Sequence, residues 1–276
     1  MYICLNRGTA GGSLPFEQFV QLAAESGFPG CDVDMGYVVQ HGTSALRDLF
    51  AGRKLRFGGW GPPVDWRAEA SKQSDGLTQL KTCAAAAREL GIDSCCTWIM
   101  PSSQPPFIEN WDFHVERLKP VARVLAEQGL RFGLEFVAPY HLRRHFPHEF
   151  LFTPGQMLEL ADAVGPNVGL LVDCFHCHCS GTTWEHLAQI PGKRIVLAHL
   201  NDAPKQPVAT ISDGDRLLPG EGAIDPRAFL GALRTAGYDG PVSLEVFSAQ
   251  LKTMPPLDAA RKAWAACKTL LANSGA

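Results

Sequence analysis

Residues 174–179 place three cysteines and two histidines in six consecutive positions, directly after an apolar run that ends in Asp173. Thiolates and imidazoles suit structural zinc, but a finger-type site needs a second ligand pair at a matching spacing, and the sequence has none. Cys174 and Cys177 also form a C-x-x-C pair, which in a thioredoxin-like motif opens a helix, whereas Gly181 is expected to delay the helix here. We therefore favour Asp173 as the metal ligand of this segment and interpret the cysteines as loop and packing residues.

Asp173 is one of four polar residues that each close an apolar, strand-like run. The runs GLEF, LLVD, VLAH and SLEV contain, in order, Glu135, Asp173, His199 and Glu245, separated by 38, 26 and 46 positions. Taken singly, such residues are commonly solvated carboxylates or satisfied core histidines. Taken together, three carboxylates from nearby strands repel one another unless a cation lies between them. Three oxygen ligands with one imidazole nitrogen suit one divalent ion, Mn²⁺ first, with Mg²⁺, Co²⁺ or Zn²⁺ as alternatives.

The surrounding sequence predicts the frame that would bring these residues together. Short apolar runs alternate with amphipathic segments such as PFEQFVQLAAESG, whose apolar residues recur at helical spacing up to Gly27. Eight strands are predicted, at 2–6, 31–35, 54–59, 95–100, 131–137, 168–174, 194–200 and 242–247, and a last helix at about 257–272. Eight units of about 34 residues are typical of an α/β fold, a single (β/α)8 TIM barrel over residues 1–276.

The alternative fold is a doubly wound open sheet, which the absence of a Gly-rich dinucleotide turn after the first strand disfavours. In a barrel, the carboxyl ends of all the strands meet at one mouth, where the chemistry of such folds takes place. The four polar residues that close strands five to eight are therefore expected to lie together at that mouth.

Composition and net charge limit the kinds of molecule that the protein is expected to bind. The formal net charge is −3 with no long run of one sign, so the basic surface expected of a nucleic-acid or membrane-surface binder is missing. The N-terminus lacks a signal-peptide pattern, no apolar stretch is long enough to span a bilayer, and nine scattered cysteines favour reduced thiols. We expect a cytoplasmic protein that acts on a small molecule, with no nucleic-acid or membrane partner.

From Arg131 to Phe247 the sequence resembles the xylose isomerase-like TIM barrels of the sugar phosphate isomerase/epimerase family, and the resemblance extends over nearly the whole chain. The matching stretches are GLEF, NVGLLVDCFHCHCSG, AHLNDAP, DRLLPGEGAID and GYDGPVSLEVF. The resemblance implies that the same four strand-end residues hold one divalent metal. It also implies that Glu135 and Glu245 transfer protons in catalysis, as in ketose 3-epimerases. His176 and Arg216 are implied to bind substrate oxygens.

These motifs do not choose one reaction. A divalent ion bound to a carbonyl oxygen and a neighbouring hydroxyl acidifies the C–H bond, and a carboxylate pair can then move the proton through an enediolate. We expect a metal-dependent isomerase or epimerase of a polyhydroxy ketone or aldehyde, which includes sugars, sugar phosphates and cyclitols. Loss of a β-hydroxyl would instead give a dehydratase or lyase on a keto-cyclitol or an oxidised glycoside. A non-catalytic sugar-binding barrel is the third alternative, which the two intact glutamates disfavour.

The DNA-cutting branch of the family is also disfavoured. It uses additional histidines at earlier strand ends to hold three metal ions, whereas here strands three and four end in GGWGPP and TWIMP. Trp60 and Trp98 in these segments are predicted to present aromatic faces to a sugar or cyclitol, or alternatively to cap the barrel core. Asn6 and Arg7, after strand one, are further candidate substrate contacts.

Two long connections, at 138–152 and 201–222, are expected to be functional. The first is rich in arginine and histidine, and we interpret it as a lid over the substrate, as a subunit contact in a homo-oligomer, or as a solvated basic loop. In the second, Asp202 is interpreted as a brace for His199 or a nearby loop, or as a helix cap.

Overall fold

All eight predicted strands are parallel β-strands in the computed structural model, which describes residues 1–270. They are β1 (Tyr2–Leu5), β2 (Gly30–Cys31), β3 (Arg56–Phe57), β4 (Cys95–Ile99), β5 (Phe132–Phe136), β6 (Val168–Asp173), β7 (Ile195–Leu200) and β8 (Pro241–Leu244). Their order in the sheet is β3-β2-β1-β8-β7-β6-β5-β4, and a parallel bridge between Trp60 and Cys95 joins the two ends. The sheet therefore closes, and the predicted (β/α)8 TIM-barrel fold is confirmed.

Helices connect successive strands. They are α1 (Phe16–Ser26), α2 (Met35–Ala51), α3 (Ala70–Leu90), α4 (Phe107–Glu127), α5 (Tyr140–Arg143), α6 (Pro154–Val164), α7 (Cys174–Ser180), α8 (Trp184–Ala188), α9 (Pro226–Thr235), α10 (Ala249–Lys252) and α11 (Pro256–Cys267). α1 buries its predicted apolar face and ends at Gly27, whose φ of 95° is left-handed. None of the helices between residues 1 and 270 combines the length and apolar character needed to cross a membrane.

The C-terminal end of the chain is only partly covered by these elements. α11 ends at Cys267, a few residues before the predicted end of the last helix at about residue 272. Residues 271–276, which the prediction of a single domain over 1–276 includes, lie outside the described residues. The single-domain prediction for the whole chain stays a prediction.

The segment after Asp173 is a helix, so the prediction of a cysteine-containing loop was wrong. The Asp173 carboxylate accepts a hydrogen bond from the Phe175 amide at 2.7 Å and caps the N-terminus of α7. Gly181, with a φ of 74°, ends this helix instead of delaying it. The three cysteines of α7 are consequently buried, on a helix that starts at the mouth of the barrel.

The long connection at 201–222 is organised around one buried carboxylate. Asp202 is fully buried, and it accepts hydrogen bonds from the amides of four loop residues, at 2.7 to 3.0 Å: Ala203, Gly220, Gly222 and Ile224. Its own backbone pairs with Leu217 in both directions, at 2.8 and 2.9 Å. Asp202 therefore braces the loop, which confirms one of its predicted roles and fixes the position of Arg216 beside Leu217.

Gly169 lies where two backbone segments of the barrel approach closely, so we expect a larger side chain at this position to disturb the packing. A methyl group added at Gly169 in β6 would overlap the Arg194 carbonyl oxygen, whereas one added at Gly231 in α9 would meet no atom within 4 Å. We expect Gly169→Ala to lower the free energy of unfolding by about 1 to 3 kcal/mol. Gly231→Ala, the matched control, is expected to raise that free energy slightly, because alanine favours helix. Urea unfolding of both variants measures the two effects, and equal stability of the two would contradict the packing argument.

Candidate metal centre

The four polar strand-end residues converge at one mouth of the barrel. One ligand atom from each of Glu135, Asp173, His199 and Glu245 lies within 4.8 Å of the other three. The Nδ1 atom of His199 is 3.2 Å from Glu245 Oε2, 3.5 Å from Glu135 Oε1 and 3.7 Å from Asp173 Oδ2. The strands dictate this meeting, because Asp173 and His199 are register partners, and the Glu245 amide donates to the Leu200 carbonyl at 3.0 Å.

Two buried atoms of this cluster have no hydrogen-bond partner among residues 1–270. They are Glu135 Oε1 and His199 Nδ1, and both face the interior of the cluster. Leaving a buried carboxylate oxygen or ring nitrogen unpaired costs free energy, so the arrangement is incomplete by itself. A cation that contacts both atoms would remove this cost. The donor set of three carboxylates and one imidazole fits such an ion.

The charges around the cluster support a divalent ion. Arg216 places Nη1 2.7 Å from Asp173 Oδ2 and 2.8 Å from Glu245 Oε2. Three carboxylates with this one guanidinium leave a net charge of −2 when His199 is neutral, and Asp213, which pairs with the same guanidinium at 2.9 Å, makes the surroundings more negative still. One divalent cation balances that charge, whereas the unbalanced charges would be costly to bury.

Asn201 and Cys174 hold Asp173 in place, and neither was predicted to do so. The Asn201 side-chain amide donates to Asp173 Oδ1 at 3.0 Å, to Oδ2 at 3.1 Å and to the Glu245 carbonyl at 3.1 Å. The Cys174 thiol donates to Asn201 Oδ1 at 3.0 Å, which orients the amide so that its N–H groups face the carboxylate. Asn201 lies two positions after His199, but the sequence analysis considered only the residue that closes each apolar run.

The electrostatic surroundings hold Asp173 ionised. Burial would raise the pKa of this carboxyl, but the guanidinium of Arg216, followed by contact with His199, keeps the pKa well below its usual range. Burial would likewise lower the pKa of His199, but the carboxylate of Glu245, followed by Asp173 and Glu135, keeps that pKa well above its usual value. The cluster therefore attracts positive charge to the His199 position.

The two glutamates stand in unlike surroundings. Burial raises the pKa of Glu135, which lies 3.9 Å from the His176 ring and forms no ion pair with an arginine in the described part of the chain. Burial would raise the pKa of Glu245 as well, but the charges of His199 and then Arg216 lower it. Unlike environments for a carboxylate pair are a common feature of acid–base sites.

His176 and Arg216 are brought into the same cluster. Arg216 Nη2 lies 3.2 Å from His176 Nε2 and 2.9 Å from Asp213 Oδ1, and both the arginine and the histidine are almost fully buried. Arg216 thus contacts the carboxylates directly and neutralises part of their charge. Its predicted contact with substrate oxygens, like that of His176, stays a prediction.

Two cavities open onto the cluster, with volumes of about 270 and 320 Å³. Glu135, Glu245 and Trp98 line both of them, so the two glutamates are accessible from either side. His176 and Arg216 line the second cavity, the larger of the two. A small polyhydroxy molecule fits cavities of this size and lining.

The two predicted tryptophans differ in exposure. Trp98 is 47% exposed at the mouth, and the Arg67 guanidinium lies over its ring at 4.2 Å. Trp60 is 4% exposed and forms the bridge that closes the barrel, although it also lines the first cavity. This places Trp98 where a substrate ring can reach it and gives Trp60 a role in closing the barrel core.

The first cavity contains the two candidate contacts after strand one and a third residue that the sequence analysis missed, Asp32. Arg7 is already engaged, because it donates to the Leu14 carbonyl at 2.6 Å and lies 3.5 Å from Asp34. Asn6 donates to Asp32 at 2.8 Å. Asp32 directly follows β2, so the rule used for strands five to eight would have found it had it been applied to strand two.

The cysteines of α7 take no part in the cluster. Among residues 1–270, the group that could hold a metal ion contains no cysteine. Burial raises the pKa of the Cys174 and Cys177 thiols well above the ordinary value, which disfavours a reactive thiolate. The metal-knot and redox interpretations of the C-x-x-C pair are therefore not supported.

The long connection at 138–152 contains α5 and a two-residue strand. His148–Glu149 pairs with Ser102–Ser103, and Arg143 lies 2.7 Å from Glu149. Leu142 lines the second cavity. The lid and homo-oligomer interpretations of this loop stay predictions.

Comparison with known proteins agrees with this geometry. Residues 20–270 match the family model of the xylose isomerase-like TIM barrel. An inosose isomerase of Bacillus velezensis is 28% identical over 261 residues, which are 90% of this chain and 89% of that protein. An inosose dehydratase of Geobacillus thermodenitrificans is 26% identical over 253 residues, 83% of this chain and 81% of that protein. Both relatives are enzymes named for inososes.

A solved structure matches the fold over nearly its whole length. The structure of a xylose isomerase domain protein from Alicyclobacillus acidocaldarius superposes with a TM-score of 0.90 at 30% identity. The match covers 99% of this chain and 98% of that one. The architecture described above is therefore that of an experimentally known barrel.

The ligand set predicts which substitutions remove a bound metal. After loading with Mn²⁺ and desalting, we expect the unmodified chain and Cys177→Ser to retain one ion per chain and Asp173→Asn to lose it, because the substitution removes a ligand charge but little volume. Elemental analysis of the three proteins measures this. Metal retained by Asp173→Asn and lost by Cys177→Ser would show that the cysteines bind the ion.

The bracing of Asp173 gives a second, graded expectation. Asn201→Ala leaves all four ligands intact but removes the amide that orients Asp173, so we expect Mn²⁺ affinity to fall by about 10- to 100-fold. Competition with a coloured chelator measures the affinity, and Asn167→Ala, in which the lost amide bonds the Ala122 and Leu130 carbonyls, is the control. Equal affinities of the two variants would mean that Asn201 does not orient the ligand.

Proposed function

The chain belongs to the xylose isomerase-like TIM-barrel family, and on that premise we propose that it is a divalent-metal-dependent isomerase or epimerase. The proposed substrates are polyhydroxy carbonyl compounds, with inososes and related keto-cyclitols first. The observation that carries this proposal is that Glu135 and Glu245 line both cavities beside the candidate metal centre. Two carboxylates so placed can exchange a proton with a carbon held between them.

Glu135, Asp173, His199 and Glu245 would hold the ion, and the composition of this donor set favours Mn²⁺, with Mg²⁺, Co²⁺ and Zn²⁺ as alternatives. When bound, the ion would polarise the substrate carbonyl and so acidify the neighbouring C–H bond. Glu135 and Glu245 would remove and return the proton, each as base in one direction and as acid in the other. These two proton transfers would need no titratable side chain besides the two glutamates.

Other residues of the cavities would orient the substrate. His176 and Arg216 line the second cavity, and binding of a substrate oxygen by Arg216 would require it to share N–H groups that already donate to Asp173, Glu245 and Asp213. Trp98 offers an exposed aromatic face to the C–H face of a ring. The mixture of N–H donors, carboxylates and one aromatic ring suits a cyclic polyol, and the inosose isomerase and dehydratase relatives support the same substrate class.

A metal-dependent dehydratase on a keto-cyclitol is the second candidate, which the inosose dehydratase relative favours. Both reactions begin with removal of a proton next to the carbonyl, and they differ in whether a β-hydroxyl then leaves. Product NMR after incubation with an inosose separates them, because dehydration yields an alkene or its tautomer, whereas isomerisation keeps the molecular formula.

Proton exchange with solvent tests the role of the glutamates. In deuterium oxide, we expect the metal-loaded protein to incorporate deuterium at the carbon next to the inosose carbonyl, even when net turnover is slow. Glu135→Gln and Glu245→Gln are expected to lower the exchange rate by at least about 100-fold, because general acid–base catalysis contributes factors of this size. Proton NMR of the substrate measures the rate.

Metal content is determined for both glutamine variants, so that loss of the proton carrier is distinguished from loss of the ion. Glu149→Gln, which changes an exposed glutamate paired with Arg143, is the control and should exchange like the unmodified protein. Unchanged exchange in both Glu135→Gln and Glu245→Gln would place the base elsewhere.

A further inference from the structure

Asp32 lies at the mouth of the barrel on the side where β1, β2, β3 and β8 end. Its Oδ1 atom accepts hydrogen bonds from the Gly59 amide at 2.9 Å and from the Ser243 hydroxyl at 2.5 Å. Its Oδ2 atom accepts one from the Asn6 side-chain amide at 2.8 Å. These contacts fix the orientation of the carboxylate without the help of any bound molecule.

Asp32 and Asn6 line the first cavity together with Glu135, His199 and Glu245, but they are separate from the metal centre. Among residues 1–270, the carboxylates within 4.0 Å of His199 belong to the three other acids of the cluster and not to Asp32. A molecule that fills this cavity would therefore meet two polar points: the metal centre and the Asp32–Asn6 pair.

The pair keeps hydrogen-bonding capacity toward that molecule. An ionised carboxylate has about four acceptor sites, and Asp32 uses three of them. The Asn6 amide has a second N–H beyond the one that it donates to Asp32. One acceptor and one donor side by side are complementary to a hydroxyl group, which both donates and accepts.

The protonation state of Asp32 fits an acceptor role. Burial raises the pKa of this carboxyl to about 6, against the lowering effects of its bond to Ser243, of the charge of His199, and of its bonds to Gly59 and Asn6. The group is therefore mostly ionised at neutral pH. On this wall Asp32 lies apart from Glu135 and Glu245, which also line the cavity, and the nearby Arg7 is paired with Asp34 at 3.5 Å.

We propose that Asp32 and Asn6 form a specificity point that binds a substrate hydroxyl remote from the reacting carbonyl, and this inference rests on the proposed polyhydroxy carbonyl substrate. A phosphate at this position would bring its charge against the Asp32 carboxylate. The pair therefore selects a neutral polyol end, and the substrate is an unphosphorylated ring or chain at this wall.

Binding of inositols tests the inference without requiring turnover, because they have the ring hydroxyls of an inosose but no carbonyl. We expect Asp32→Asn to weaken binding of myo-inositol to the Mn²⁺-loaded protein by about tenfold or more, as loss of a hydrogen bond to a charged group does. For one mono-deoxy-inositol, the unmodified protein should show the same loss. Asp32→Asn should then cause no further loss with that ligand, because the two changes remove one contact. Ligand-observed NMR titration measures the dissociation constants.

Ser243→Ala is the matched control, because it removes a structural hydrogen bond of Asp32 but keeps the carboxylate. It should preserve the dependence on the deoxy position. If Asp32→Asn does not fold, Asn6→Ala takes its place in the same cycle.

Equal weakening of every inositol by Asp32→Asn, no weakening at all, or no inositol binding by the unmodified protein would each overturn the inference. If the effects of Asp32→Asn and of the missing hydroxyl are coupled as expected, but no inosose exchanges its proton with solvent, only the proposed isomerase function is contradicted.

Discussion

The mutual repulsion of three buried carboxylates is the constraint around which the mouth of this barrel is built. Glu135, Asp173 and Glu245 converge on one imidazole, and two buried atoms of this cluster have no hydrogen-bond partner. Without compensation, such a cluster would cost more free energy than the folded state can supply. Arg216 and Asn201 supply part of the compensation, and the remaining charge defines the kind of ion that completes it.

The position of Arg216 depends in turn on a second buried carboxylate, which is satisfied in a different way. Within residues 1–270 Asp202 forms no ion pair, and four backbone amides of the loop that it shapes stabilise it. Two backbone hydrogen bonds join Leu217 to Asp202, and they fix the position of the neighbouring Arg216 at the cluster. Asp173 and Asp202, 29 positions apart, thus act together. Asp173 pairs with the guanidinium of Arg216, and Asp202 holds the loop that positions this guanidinium.

Much of the fold followed from local sequence. Short apolar runs that alternate with amphipathic segments predicted all eight strands, and the residue closing each of strands five to eight predicted the cluster. Asn201 escaped prediction because its importance lies in a contact across 28 positions, to Asp173, which no local pattern reveals, whereas Asp32 was missed because the strand-end pattern was considered only for strands five to eight. α7 was missed because Gly181 was interpreted as delaying a helix, although Asp173 itself could cap one. Local chemistry placed the ligands, whereas the residues that support them are fixed by tertiary contacts.

The closure of the barrel is uneven around its circumference. β5 pairs with β4 over five residues and with β6 over four, whereas in the described part of the chain β3 and β4 are joined by the single bridge at Trp60 and Cys95. Local opening of a sheet costs least free energy where few backbone hydrogen bonds must break. We therefore expect opening to begin at the seam between β3 and β4. Trp98 lies on β4, and the first cavity borders this seam because both Trp60 and Trp98 line it. We therefore expect motion of the fold to be greatest along this wall of the first cavity and least where β5, β6 and β7, which carry three of the four candidate ligands, pair over four residues or more.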